Sequence, residues 1–163
     1  MRLFTIAVAI AAAALVAGCD QHPDKTIKIK GKDGNVTISG DSGHMTVKSD
    51  DGKTTVEINS NGLGNQKLPD FAPAYPGGEI KVSVASQTEN GGTFAFDTPD
   101  APDKVIAFYK DRAKSAGLEE KLNMNANGAL TFMASAGEDK KTVQVVAAKA
   151  DAGSHAQVFW ANK

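Results

Sequence analysis

The 163-residue sequence has one cysteine and three histidines. A single cysteine excludes an intramolecular disulfide and any cysteine-rich metal site. The histidines, His22, His44 and His155, stand far apart, and none lies at metal-ligand spacing from a second. Charge of one sign is also missing: 18 basic side chains face 19 acidic ones, with no basic block. That balance argues against a nucleic-acid partner. Glycine-rich stretches lack the Lys-Ser/Thr that completes a phosphate loop, and Asp97, Asp100 and Asp103 around the one expected helix start would repel a phosphate. No nucleophile elbow occurs, and the carboxylate pairs Asp50-Asp51 and Glu119-Glu120 sit beside turns or strand starts, where solvation accounts for them. Neither catalytic nor metal-binding nor cofactor-binding residues are therefore assigned. Long apolar runs are absent but for Leu3–Val16, broken only by Thr5. At about fourteen apolar residues it falls short of the roughly 20 that span a bilayer core.

What is present begins with that run. Arg2 precedes it and the small residues Ala17-Gly18 follow, the pattern of a secretory signal. Because they lead directly into Cys19, the stretch resembles the bacterial lipoprotein signal. The resemblance implies that residues 1–18 are removed and that Cys19 becomes the first residue of the mature chain, carrying acyl groups such as palmitate. One fatty chain holds a protein only marginally, at about 0.8 kcal/mol per buried CH₂, and two or three make release negligible. Asp20 and Gln21 then resemble the sorting signal that retains lipoproteins on the inner membrane of enteric-type bacteria. The implied setting is the periplasmic side of the inner membrane, rather than the outer membrane.

Loss of residues 1–18 removes Arg2 and takes the formal charge from −1 to about −2. Residues 19–25 form a short polar tether. Four segments follow, each with two apolar residues in alternation: Ile27 and Ile29, Val36 and Ile38, Met45 and Val47, Val56 and Ile58. Alternation marks one face of a strand. Asp33-Gly34, Ser42-Gly43 and Asp51-Gly52 supply hairpin turns. Such turns place Ile29 opposite Ile38, Ile38 opposite Val47, and Val47 opposite Val56, so that all eight apolar residues share a face. The opposite face carries Lys28, Thr37, Thr46, Lys48 and Glu57. A single layer leaves its apolar side in water, so the meander 26–58 is expected to dock on the rest of the chain or on another molecule.

Residues 59–78 read as a linker and an extended segment, with Pro69, Pro73 and Pro76 around Phe71 and Tyr75. Those rings are expected to pack on their own domain. Strands are expected over Glu79–Thr88, with Ile80, Val82 and Val84 inward, and over Thr93–Thr98, with Phe94 and Phe96 inward. Asp100 is placed as N-cap of a helix running from Ala101-Pro102 to Ala116, and Gly117 as the residue that ends it. Strands follow around 118–125, 129–135, 141–150 and 156–161, pairing Leu122 with Phe132, Leu130 with Val145, and Val143 with Trp160. Met133, Val146, Ala148 and Phe159 make the opposite face partly apolar as well. Leu68-Pro69-Asp70, Tyr75-Pro76-Gly77, Phe94 to Thr98 and Phe108-Tyr109 with Gly117 resemble a segment recurring in uncharacterised bacterial envelope proteins. That resemblance covers about a third of the chain and brings no activity with it.

The expected fold class is α+β: an N-terminal four-stranded antiparallel meander, then a separate ββαββββ domain over 79–163 with one helix on an antiparallel sheet. The expected function is that of a non-catalytic, lipid-anchored envelope protein acting as a binding or scaffold module. It needs no cofactor; its partners are the membrane, through the lipid, and an envelope protein or the cell-wall polymer. The alternatives are a periplasmic hydrolase or metal-dependent enzyme whose site assembles from dispersed residues, and a carrier of small apolar ligands between sheet and helix.

Overall fold

A computed structural model describes residues 25–31, 34–50, 54–86, 90–137 and 140–162. The strands are β1 (Lys25–Gly31), β2 (Gly34–Gly40), β3 (His44–Ser49), β4 (Thr55–Ser60), β5 (Glu79–Ser86), β6 (Gly91–Thr98), β7 (Glu119–Ala126), β8 (Ala129–Ala136), β9 (Lys141–Ala150) and β10 (Gly153–Asn162), with α1 (Pro102–Ser115) between β6 and β7. All ten strands belong to one antiparallel sheet in the order β1-β2-β3-β4-β5-β6-β10-β9-β8-β7. After β6 the chain crosses through α1 to the far edge and returns strand by strand, until β10 pairs with β6.

This corrects the expected α+β arrangement of a meander beside a separate ββαββββ domain. Among the described residues one sheet dominates, with one short helix. The meander joins it edge to edge: β4 pairs with β5, with Ile58 opposite Val84 and Val56 opposite Ser86. Patterning reports which face of a strand is apolar. It is silent on which edge finds a partner, and every unpaired edge presents backbone groups that a further strand satisfies.

Registers follow the turns in part. Ile38 faces Val47, Val47 faces Val56 and Met45 faces Ile58, as the turn chemistry dictates. In the first hairpin Ile29 faces Val36 rather than Ile38, a shift of two that preserves the face. Val143 faces Trp160 as expected, whereas Phe132, not Leu130, lies opposite Val145. Two bulges change faces outright. Between Ile80 and Val82, and between Glu120 and Leu122, one strand carries an extra residue. Ile80 therefore stays with the core while Val82 and Val84 turn to the opposite face. Leu122 likewise pairs with Met133 instead of Phe132.

The helix begins at Pro102 because its missing N–H would be unsatisfied there in any case. Its N-cap is Ala101, without a side-chain cap bond; Asp100 is engaged elsewhere. At the other end Gly117 takes φ +75°, and the N–H groups of Leu118 and Gly117 donate to the carbonyls of Ala113 and Lys114. That pair of bonds closes the last turn, and the left-handed φ suits glycine. Val105, Ile106, Tyr109 and Ala113 face the sheet and are buried. They share one buried cluster with Phe94 and Phe96 of β6, Phe132 of β8, Val143 and Val145 of β9 and Val158 of β10, the helix itself packing on β8, β9 and β10. Phe94 and Phe96 are wholly buried (0 % exposed), each burial stabilising by about 1.5–3 kcal/mol. Phe71 and Tyr75 of the proline-rich segment close the same core, as expected of those rings.

Candidate binding surface

The sheet has two unlike faces. On the helix side the core is sealed at one end by the segment before β5. The Tyr75 ring stacks on Phe96 at 5.4 Å and meets Phe108 edge-on at 5.1 Å. Its hydroxyl donates to Asp100 Oδ2 at 2.9 Å, and the buried Tyr109 hydroxyl donates to the Pro73 carbonyl at 2.9 Å. Burial, reinforced by the Asp100 carboxylate, pushes the Tyr75 phenol up to about 12. Burial likewise raises that of Tyr109. Asp100 is held below the ordinary carboxylate range, first by Lys104 at 3.0 Å and then by the Tyr75 hydroxyl.

A cleft of about 310 Å³ opens between α1 and β7–β8, floored by Leu118, Phe132 and Ala134. The Lys110–Glu120 ion pair, at 3.3 Å, lies at its rim. A smaller hollow of about 230 Å³ lies where the Asn65–Lys67 loop crosses β5 and Trp160. There the Gln66 amide donates to the Val84 carbonyl at 3.4 Å, directly over Gly92. A Cβ on Gly92 would stand 2.7 Å from the Gln66 amide nitrogen and 2.6 Å from the Val84 oxygen, so only glycine admits that contact.

The other face carries no helix among the described residues. Register places Ile27, Ile29, Met45, Val82, Leu122, Met124 and Phe159 on it. Those seven are the large hydrophobic side chains left exposed among the described residues, and not one is on the helix side. Between them Val36, Ile38, Val47, Val56, Ile58, Val84 and Ala95 continue the apolar surface. Where the starts of β4 and β6 meet the ends of β5 and β10 lies a hollow of about 320 Å³, lined by Val56, Val84, Ser86, Gly91, Gly92, Thr93, Phe159, Trp160 and Ala161.

Among the described side chains of this face, the charged groups Lys81, Glu79, Asp97, Lys121 and Glu119 sit toward strand ends and are paired. Lys81, the bulged residue, reaches Glu79 at 2.7 Å and Asp97 at 3.7 Å, and His155 Nδ1 lies 2.7 Å from Asp97 Oδ1. The His155 contact, followed by Lys81, holds Asp97 below its usual range. At the far edge Lys121 bonds Glu119 at 2.9 Å and lowers that carboxyl in turn.

Cys19, Asp20, Gln21 and His22 lie outside the described residues. His44 and His155 are not brought together: His44 is exposed at the start of β3 and His155 stands on Asp97. No group of three His, Cys, Asp or Glu side chains fit to hold a metal occurs among the described residues. Ser154 precedes His155 in sequence but faces the other side of the sheet, where its hydroxyl donates to the Asp100 carbonyl at 2.6 Å. A serine beside a His–Asp pair is therefore kept from it by the pleat.

Residues 80–154 match a family model described as START domain-like. The match runs from β5 through β9 to the first residues of β10, just under half of the chain, and leaves out β1–β4. No curated protein and no solved structure matches the chain. A domain of that description is typically a binding module, and the match is compatible with non-catalytic binding.

Sequence reasoning missed Val82, Leu122 and Met124 as surface residues, because both bulges lie inside strands whose alternation looks regular. The usable signal was local polarity. Glu79-Ile80-Lys81 and Glu119-Glu120-Lys121 each put charges where a strand would enter the core.

Proposed function

We propose that this chain is a non-catalytic binding module of the bacterial cell envelope, and that its working surface is the helix-free face of the sheet. Acyl chains on Cys19 hold it to a membrane, and Asp20 with Gln21 keeps it on the inner membrane, the folded domain standing in the periplasm. The observation that carries the binding surface is the confinement of all seven exposed large hydrophobics to one face. Monomeric soluble proteins rarely leave more than a few hundred Å² of contiguous apolar surface in water, and larger patches mark interaction sites. The match to a START domain-like model supports binding over catalysis. The apolar run ahead of Cys19 supports the anchor.

Two experiments test this. Cys19→Ala should move the protein out of the membrane pellet; a variant still pelleting with membranes contradicts the anchor. Chemical cross-linking in intact cells should trap the wild-type chain in a larger species and fail with Met45→Asp/Phe159→Asp. An unchanged cross-linking pattern contradicts the assignment of the face. A second reading places a small ligand in the cleft under α1, favoured by its apolar floor of Leu118, Phe132 and Ala134. It requires that Ala134→Phe, which fills that floor, abolish ligand uptake while leaving the cross-linked species intact.

A further inference from the structure

We infer that the occupant of the helix-free face is a second copy of this chain, the two sheets packed face to face across a two-fold axis. The inference rests on the reading of that face as the binding surface and names its partner. Three observations lead to it. The first is size. Ten strands about 4.8 Å apart and about 20 Å long present on the order of 1,000 Å² per copy. A standard stable interface takes about 800 Å² from each partner, so the face suffices for a dimer.

The second is charge. The ionic groups described on this face, Lys81 with Glu79 and Asp97, His155 on Asp97, and Lys121 with Glu119, are paired within the copy and confined to strand ends. The middle is uncharged. A self-facing surface must avoid like charge opposite like charge, and this one carries its charge only in pairs of opposite sign at strand ends. A bilayer surface would call for a basic fringe and interfacial Trp or Tyr. Trp160 points to the helix side and both tyrosines are in the core, leaving Phe159 as the one aromatic ring on the helix-free face among the described residues.

The third is shape. Five strands lie on each side of a midline between β5 and β6. Phe159 projects on one side of it, next to the hollow walled by Val56 and Val84 from the other. Each copy thus carries a ring and a recess, the self-complementary arrangement that a two-fold axis requires. An axis along the midline lays β1–β4 of each copy over β7–β10 of its mate. The apolar side of the meander then gains the second layer that the described residues of a single chain do not supply. Face-to-face sheets stand about 10 Å apart, room for interdigitated side chains from both.

The test uses the full-length chain in its native membranes. Thr93→Cys sits beside the midline, and Lys114→Cys on the exposed side of α1 is the control. A bifunctional maleimide spanning about 10 Å should join Thr93→Cys chains into a species of doubled mass and leave Lys114→Cys chains single. Adding Phe159→Asp should abolish the doubled species. If Thr93→Cys is shielded from a water-soluble maleimide yet never doubles, the second copy is refuted while the face remains a binding surface for a bilayer or an unlike protein. If Thr93→Cys is labelled as readily as Lys114→Cys and does not double, both readings fall.

Discussion

The two halves of this sheet use the same pleat, similar turns and the same β-branched vocabulary, yet they are not equally protected. In β6, Phe94 and Phe96 are wholly buried; in β1, Ile27 and Ile29 are each 52 % exposed. Strand chemistry does not separate them. What differs is the second layer: Phe94 and Phe96 lie on the face covered by α1 and the Phe71–Tyr75 segment, whereas Ile27 and Ile29 lie on the opposite face, which no element among the described residues covers. The family match respects the same division, covering the helix-bearing half and stopping short of the meander. Alternation and turns suffice to make a strand and align it with its neighbour. Holding it in place takes a layer on its apolar side.

The comparison breaks most visibly if a core side chain and a meander side chain prove equally costly to remove. Tyr109→Ala deletes a fully buried ring and its bond to the Pro73 carbonyl, and should destabilise by about 3–5 kcal/mol. Urea unfolding should show Ile29→Ala costing under about 1 kcal/mol in the dissociated chain, since half of that side chain is already in water. Similar costs for the two would mean that the layers are not as described.

Hydrogen exchange sharpens the same contrast without mutation. In the dissociated chain, amides of β1–β3 should exchange at least about 100-fold faster than those of β9 and β10. A uniform profile would instead indicate one cooperative unit across all ten strands.

The tyrosines report on the covered half alone, because both of them lie in its core. A phenol whose folded value is raised stabilises the fold fully below its unfolded value near 10, and that contribution is lost as pH rises through the folded value. For Tyr75 the window runs from about 10 to about 12. Phenolate absorbance at pH 10.5 should therefore be small in the folded chain and large in urea. Tyr75→Phe should remove part of the alkaline loss of stability. Ordinary tyrosine titration in the folded chain would show the aromatic seal to be open.

The smallest effect is expected at the ion pairs of the helix-free face. Asp97 is depressed, first by His155, so its contribution is present above the unfolded carboxylate value and fades as pH falls through the folded one. Both partners are about half exposed, so solvent screens the pair. Asp97→Asn should flatten the acid limb of the stability profile slightly and leave neutral-pH stability nearly unchanged.

Much of this organisation can be read in the residues. Ser42-Gly43 aligns β2 with β3 as its turn chemistry dictates, Pro102 and Gly117 bracket the helix, and Phe94 and Phe96 declare the core. The single sheet is not legible, because β4 meets β5 through backbone groups that every sequence has. Nor are the faces of Val82 and Leu122, because one bulged residue at Lys81 or Lys121 reverses a parity that alternation takes for granted. The meander's part of the proposed binding face is legible as eight alternating apolar residues. Phe159 of β10 stands on the opposite face by alternation alone, whereas the extension through Val82 and Val84 of β5 and Leu122 and Met124 of β7 depends on the two bulges.

The most direct test of that surface uses two native methionines at opposite ends of it. Met45 in β3 and Met124 in β7 are 38 % and 47 % exposed in the single chain, so peroxide should reach both. Sulfoxide formation at each, measured by mass spectrometry in native membranes, should run at least about tenfold slower than in the urea-unfolded chain. Rates within about twofold of the unfolded chain would leave the face bare in its own setting and contradict the account.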